Sequence, residues 1–390
     1  MILRPTLHPF WDQVQRRALV VGAAGVVLCG VGVFFNPVQF FRSYLLAYLF
    51  WLGIPLGCLA ILMLHHLVGG AWGALIRRVL EAGTRTLPLL VFLFVPLLFG
   101  VHELYLWARP EVVANDLLLQ RKSSYLNIPF FMLRSALYFV VWLAVSYLLN
   151  KWSLRQDRTG ADPFERRMRL LSGPGLVLYV VTATFAYVDW MMSLEPHWFS
   201  TIYGILAIVG QLLATLAFAV VVTALLVDAP PLSDLMSPGH VHDLGNLLLA
   251  FVMVWAYMAI SQFLIIWSGN LPEEITWYLH RTQGGWEWVG LALILFYFGL
   301  PFFLLLSRGI KQHVQRLAWV AGAMLGMHGV DVFWRVVPAF QPSGVAVHWM
   351  DVAALMGVGG IWMAVFVWQL RERPLLPVYD PGLLGITPHE

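Results

Sequence analysis

His328, Asp331 and Arg335 lie at i, i+3 and i+7 in an otherwise apolar run. That spacing puts all three on one helical face, with the carboxylate one turn from each neighbour. An ionised side chain in a bilayer core costs about 2.5 to 3.5 kcal/mol on insertion scales, so each needs a partner or water. Two chemistries fit: an internal Asp331–Arg335 ion pair that locks helix packing, or a protonatable relay facing a cavity. His348 and Asp351 repeat the one-turn spacing in the next run. Asp189, followed by Glu195 and His197, ends another run, and Arg134, about two turns into its own run, requires a carboxylate, with Asp189 and Asp351 the candidates. At the other side, His65 and His66 close one run, while His240, His242 and Asp243 precede another. Gln211, Thr215, Ser261 and Gln262 fall between the two sets and could hold water.

The pattern describes two polar half-paths approaching His328. A relay would draw on Asp189, His328, Asp331, His348 and Asp351 from one face and on His65, His242 and Asp243 from the other. Arg134 and Arg335 are the charge partners. For the histidines of the second set, solvated loop positions are the competing reading. Haem b needs axial histidines at matched depth on facing helices, and only His328 is deep. No compact His and carboxylate set suits zinc. Cys29 and Cys58 lie in apolar runs without a C-x-x-C, so the chain is expected to carry no iron–sulfur cluster, covalent haem or other redox cofactor.

The elements that must position these groups are membrane helices. Of 390 residues, 60% are hydrophobic and 12% charged, about half the charge of a soluble domain. A single soluble core and a disordered chain are excluded, and a net charge of +3 on scattered Lys and Arg excludes a nucleic-acid binder. Windows of about 19 residues predict ten spans near 18-35, 41-67, 84-106, 126-149, 173-192, 198-227, 244-268, 284-307, 317-339 and 346-370. Ala71 to Leu80, helical in pattern but carrying Arg77 and Arg78, reads as an interfacial lead-in to the third. Asn36-Pro37, Ser172 to Gly175, Pro230-Pro231, Gly284-Gly285 and Pro342 punctuate the spans. Most Lys and Arg fall in connections on the side of the termini, which places both termini in the cytoplasm. Arg16 and Arg17 precede a first helix with no cleavage site after it, so that helix is expected to be retained. Trp107, Trp190, Trp198, Trp277, Tyr278, Trp286 and Trp288 suit an interfacial aromatic belt. Gly322 with Gly326, Ala353 with Gly357 and Ala18 with Gly22 are steps at which helices can approach closely.

Two runs carry a resemblance: DWMMSLEPHWFSTIYG from Asp189, and DLGNLLLAFVMVWAYMAISQFLIIWSGNLPEEITWYLHRTQGGW from Asp243. Both resemble the NrfD-like (polysulfide reductase) family, in particular the ActF-type membrane subunits of bacterial alternative complex III, a quinol:cytochrome c or quinol:electron-acceptor oxidoreductase. FRSYLLAYLFWLGIPLGCLAILMLHHLVGG, near the second span, is similar to a lesser degree. The resemblance implies an all-α polytopic fold with two four-helix bundles, 41-192 (with a cytoplasmic loop 150-172) and 198-339. Flanking helices 18-35 and 346-370 and a cytoplasmic tail 371-390 complete it. It implies the bacterial inner membrane and a partner set of a sister NrfD-like subunit, pentahaem and monohaem cytochromes c, an iron–sulfur, molybdopterin-oxidoreductase-like subunit, small membrane anchors and lipid. Haem c and iron–sulfur clusters would then sit on those partners, with menaquinol or ubiquinol oxidised at the sister subunit. This chain would serve as a proton-conducting subunit, as a structural scaffold, or as the holder of a quinol site of its own.

Overall fold

Where water is absent the backbone must satisfy its own hydrogen bonds, and a long apolar run does so as helix. The computed structural model describes residues 9–160, 162–230, 232–377 and 379–380, and among these residues every regular element is helical. Among the described residues ten helices are long and apolar enough to cross a membrane. They are α1 (Pro9–Phe35), α2 (Pro37–Val68), α3 (Ala71–Phe99), α4 (Ile128–Thr159), α5 (Asp162–Trp190), α6 (Tyr203–Leu226), α7 (Pro238–Gly269), α8 (Trp286–Leu306), α9 (Val314–Ala339) and α10 (Trp349–Arg371). The chain is an all-α, multi-pass membrane protein. With an even number of crossings, α1 starts and α10 ends on one side, the terminal face; the other is the distal face.

Local chemistry sets the ends. Asn36 Oδ1 accepts from Gln39 N at 3.0 Å with Pro37 in the first turn of α2, and Asn127 Oδ1 accepts from Phe130 N at 2.9 Å at the start of α4. α4 stops where Gly160 adopts φ 64°, the left-handed conformation that glycine enters at little cost.

α2 and α6 are the most deeply buried helices and pack on each other. Their approach depends on Gly57: a Cβ there would fall 2.0 Å from Thr215 Oγ1. α1 lies along α10 through the small residues at Ala18, Gly22, Ala353 and Gly357, joined by Gly25 and Gly360; a Cβ on Gly25 would sit 2.3 Å from Gly357 N. The third small-residue step makes no such contact, since Gly326 faces open space and Gly322 touches only Val221.

Four expectations need correction. The stretch 150–172 is not a loop, because α4 continues to Thr159 and α5 begins at Asp162. Hydropathy mistakes its polarity for exposure: Asn150, Ser153 and Gln156 are buried and face other helices. The Ser172 to Gly175 punctuation lies inside α5, where Ser172 Oγ donates to Met168 O at 2.7 Å and Pro174 is accommodated. Ala71 to Leu80 is no interfacial lead-in, since Arg77 and Arg78 are almost wholly buried within α3. The aromatic belt shrinks as well, because Trp107, Trp190, Trp198, Trp277 and Trp286 are core residues and Trp288 alone of the tryptophans in that set is exposed.

Candidate functional site

Three polar groupings occupy the interior, at the distal face, at mid-depth and at the terminal face. At the distal face, α9 brings His328, Asp331 and Arg335 together as their spacing requires. Arg335 Nη2 lies 2.7 Å from Asp331 Oδ2, and its Nε donates to Oδ1 at 3.1 Å. His328 Nδ1 is 4.0 Å from Asp331 Oδ2 and 3.2 Å from the Tyr297 hydroxyl. Tyr297 belongs to a π-helical stretch of α8, Leu293–Gly299, just before Pro301, which has no N–H to continue the ladder.

A second arginine supports this end. Arg281 Nη2 donates to Arg335 O at 2.9 Å and to Glu195 Oε2 at 2.7 Å, while Glu195 Oε1 lies 3.0 Å from His280 Nδ1. Burial alone would raise the Glu195 carboxyl, but Arg281 and His280 override it and hold it below the ordinary glutamate value. Beside these groups is a cavity of about 450 Å³ walled by Trp255, Trp277, Tyr278 and Trp334, with Asp331 and Arg335 on its lining. The Trp334 indole N–H is buried there without an acceptor.

Arg134 chooses Asp189 over Asp351. Its Nε donates to Oδ2 at 2.8 Å and its Nη2 to Oδ1 at 2.9 Å, and the Tyr138 hydroxyl adds a third bond at 2.8 Å. The guanidinium is clamped between the Tyr125 and Phe130 rings, 3.8 and 4.3 Å from their centroids. Asp351 is held elsewhere. It accepts from His348 N at 2.8 Å at the start of α10 and from Ser43 Oγ at 2.5 Å, and His348 Nδ1 in turn accepts from Met350 N at 3.2 Å. These two residues form a helix cap tied to α2.

At mid-depth, glycines create the room. Over Gly53 meet the Gln211 Cβ, His328 Nε2 and the Tyr187 hydroxyl, at 3.3, 3.9 and 3.9 Å from the position a Cβ would take. Tyr187 donates to Gln211 Oε1 at 2.6 Å, and Gln211 Nε2 donates to Tyr179. Thr215 Oγ1 donates to Ile54 O at 3.1 Å. On the terminal side of this group Cys58 packs against Gly83, beyond which Asn150 Nδ2 donates to Thr84 Oγ1 at 2.9 Å.

The terminal-face grouping is the largest and was not foreseen. Glu81 Oε1 accepts from Arg77 Nε at 3.0 Å and from Ser153 Oγ at 2.5 Å; its Oε2 accepts from Arg78 Nη1 at 2.6 Å and from Arg373 Nη1 at 3.0 Å. Arg78 also reaches Asp157, at 2.5 Å, and Arg77 reaches Asp380, at 2.7 Å. Of the residues expected on this side, His65 joins the group, its Nε2 3.1 Å from Asp380 Oδ2. His242 and Asp243 do not: both sit in the first turns of α7, His242 beside Asn246 at 3.2 Å and Asp243 exposed. The missed signal was the i, i+4 pairing of Arg77 with Glu81 and the polar face of Asn150, Ser153 and Asp157, both in segments that low hydropathy assigned to the outside.

Among the described residues no three His, Cys, Asp or Glu side chains gather as a metal site. No protein family matches the chain, and no curated protein matches it.

Proposed function

We propose that this chain is a membrane subunit of a bacterial quinol:electron-acceptor oxidoreductase of the alternative complex III type, and that its interior conducts protons in step with quinol oxidation on a sister subunit. The resemblance of the runs from Asp189 and Asp243 supports the assignment to that complex. The observation that carries the proton role is the succession of buried protonatable and hydrogen-bonding groups. It runs from Asp331 and His328 past Tyr187, Gln211 and Tyr179 to Thr84, Asn150 and Glu81. Such groups are costly to bury and are retained where they move charge.

The chemistry sets conditions on how the line works. Arg335 occupies both carboxylate oxygens of Asp331, so Asp331 is open to a proton only when Arg335 swings away; Arg335 is the gate. Neutral His328 then passes the proton, taking it on one ring nitrogen and releasing it from the other. Between Tyr179 and Thr84 lie the Cys58 side chain and Gly83, which has none, so water must bridge that step. On this reading the terminal face is cytoplasmic, in accord with the Lys and Arg bias, and the membrane is the bacterial inner membrane. Haem c and iron–sulfur clusters belong to the partner subunits: the pentahaem and monohaem cytochromes and the molybdopterin-oxidoreductase-like subunit. Menaquinol or ubiquinol is the reductant.

The aromatic cavity favours a second reading, a quinol site within this chain. Its walls suit a flat ring, and the Trp334 N–H and the Asp331–Arg335 pair suit its oxygens. The two readings separate in proteoliposomes of the whole complex. Asp331→Asn should lower the protons moved per electron while turnover persists; loss of turnover together with proton movement supports the quinol site instead. If both are intact, neither reading stands.

A further inference from the structure

Beyond α10 the chain turns back under the bundle. Arg85 donates to Gln369 O, and its guanidinium lies 3.8 Å from Glu372. Arg373 Nη1 reaches Asn150 Oδ1 at 3.1 Å as well as Glu81, and Leu375 and Leu376 are buried. Gln156 Nε2 donates to Tyr379 O at 3.2 Å, and the Tyr379 ring packs on Gly160, where a Cβ would come within 3.1 Å of it. Asp380 completes the run between Arg77 and His65. Burial would raise its carboxyl, yet the His65 contact and Arg77 hold it well below the ordinary aspartate value.

We infer that residues 372–377 and 379–380 are a strap that seals the terminal-face end of the polar line, with Arg373 and Asp380 as its two latches. The geometry gives it the span. It starts at the end of α10, crosses the ends of α3 and α4, and finishes at the end of α2, which surrounds the Glu81 group. Glu81 retains three donors without it, from Arg77, Arg78 and Ser153, so the strap is not required to satisfy that carboxylate.

The charges show why such a strap can open. Arg77 and Arg78 are balanced by Glu81 and Asp157 from α3 and α4 alone. The strap adds one cation and one anion at the cluster, Arg373 and Asp380, so lifting it as a unit leaves the cluster without net charge, while Glu372, itself half exposed, parts from Arg85 at the edge. Releasing one latch alone leaves a buried charge uncompensated, which is expensive. The two latches therefore move together, and the strap is either down or up. Its role as the inlet control of a proton line rests on the function proposed above; the seal itself rests on the contacts.

The test uses the assembled complex in vesicles with the terminal face outward. In a Cys29→Ala, Cys58→Ala background, Ser153→Cys places a thiol between Arg77, Arg78 and Glu81, and its labelling rate by a charged maleimide, taken relative to that of the same unfolded chain, reads access. With the strap intact labelling should be slow, and Arg373→Gln with Asp380→Asn should raise the rate by about tenfold or more, as a shift in a local opening equilibrium does. Asp380→Asn alone, which keeps the side chain's shape but leaves Arg373 unbalanced at the cluster, should raise it in the same direction if the double variant fails to assemble. Fast labelling with the native strap, or rates that neither variant changes, overturns the inference. Faster labelling with an unchanged proton-to-electron ratio upholds the strap and counts against the proton line alone.

Discussion

Arg134 and Asp189 meet side by side, Nε to Oδ2 and Nη2 to Oδ1, at 2.8 and 2.9 Å. Only the planar fork of arginine makes this two-point contact, and Asp189 is wholly buried. Removing one partner strands the other charge. Asp189→Asn or Arg134→Ala should destabilise the protein by about 3–5 kcal/mol, read as a lower thermal midpoint and yield of the solubilised complex. Arg134→Lys should recover only part of the loss; full recovery would show that charge, not the fork, matters.

The cap at α10 predicts a contrast with the pair on α9. Asp351→Asn should weaken the helix start, by about 1 kcal/mol, and leave the proton-to-electron ratio unchanged. A fall in that ratio comparable to that of Asp331→Asn would return Asp351 to the conducting line.

Glu195 predicts a pH dependence. Its carboxyl is held below the ordinary 4.5, so its contribution is full above that value and disappears as the pH falls through the lower folded value. The thermal midpoint of the native protein should exceed that of Glu195→Gln by a constant margin near neutrality, and the margin should close in acid. A margin that instead grows in acid contradicts the Arg281 and His280 contacts as its source.

Glycine positions predict opposite outcomes for the same substitution. Gly25→Leu should force α1 from α10, because the added Cβ meets the backbone of Gly357; Gly326→Leu, facing open space, should leave the isolated subunit's stability within about 0.5 kcal/mol. Thermal unfolding of the two variants side by side decides this.

Much of the fold was legible. Apolar runs near 20 residues mark all ten helices, and the i, i+3, i+7 spacing alone puts His328, Asp331 and Arg335 on one face. The ends were less legible where polar side chains point inward. Hydropathy averages over a helix and does not know which face is buried, so Asn150, Ser153 and Gln156 look like a loop. The Glu81 group was hidden for a further reason: its members come from α2, α3, α4 and the segment after α10, and only the tertiary fold brings Asp380 to Arg77. The choice of Asp189 over Asp351 for Arg134 was likewise a matter of three dimensions, since both lie near the same face.

The glycine seam between α1 and α10 joins two helices that lie far apart along the chain. Until α10 is inserted, the Gly22 and Gly25 face of α1 has no backbone to lie against. The bundle therefore closes like a clasp only once α10 is in place, and a chain interrupted anywhere before Trp349 leaves α1 open on that side.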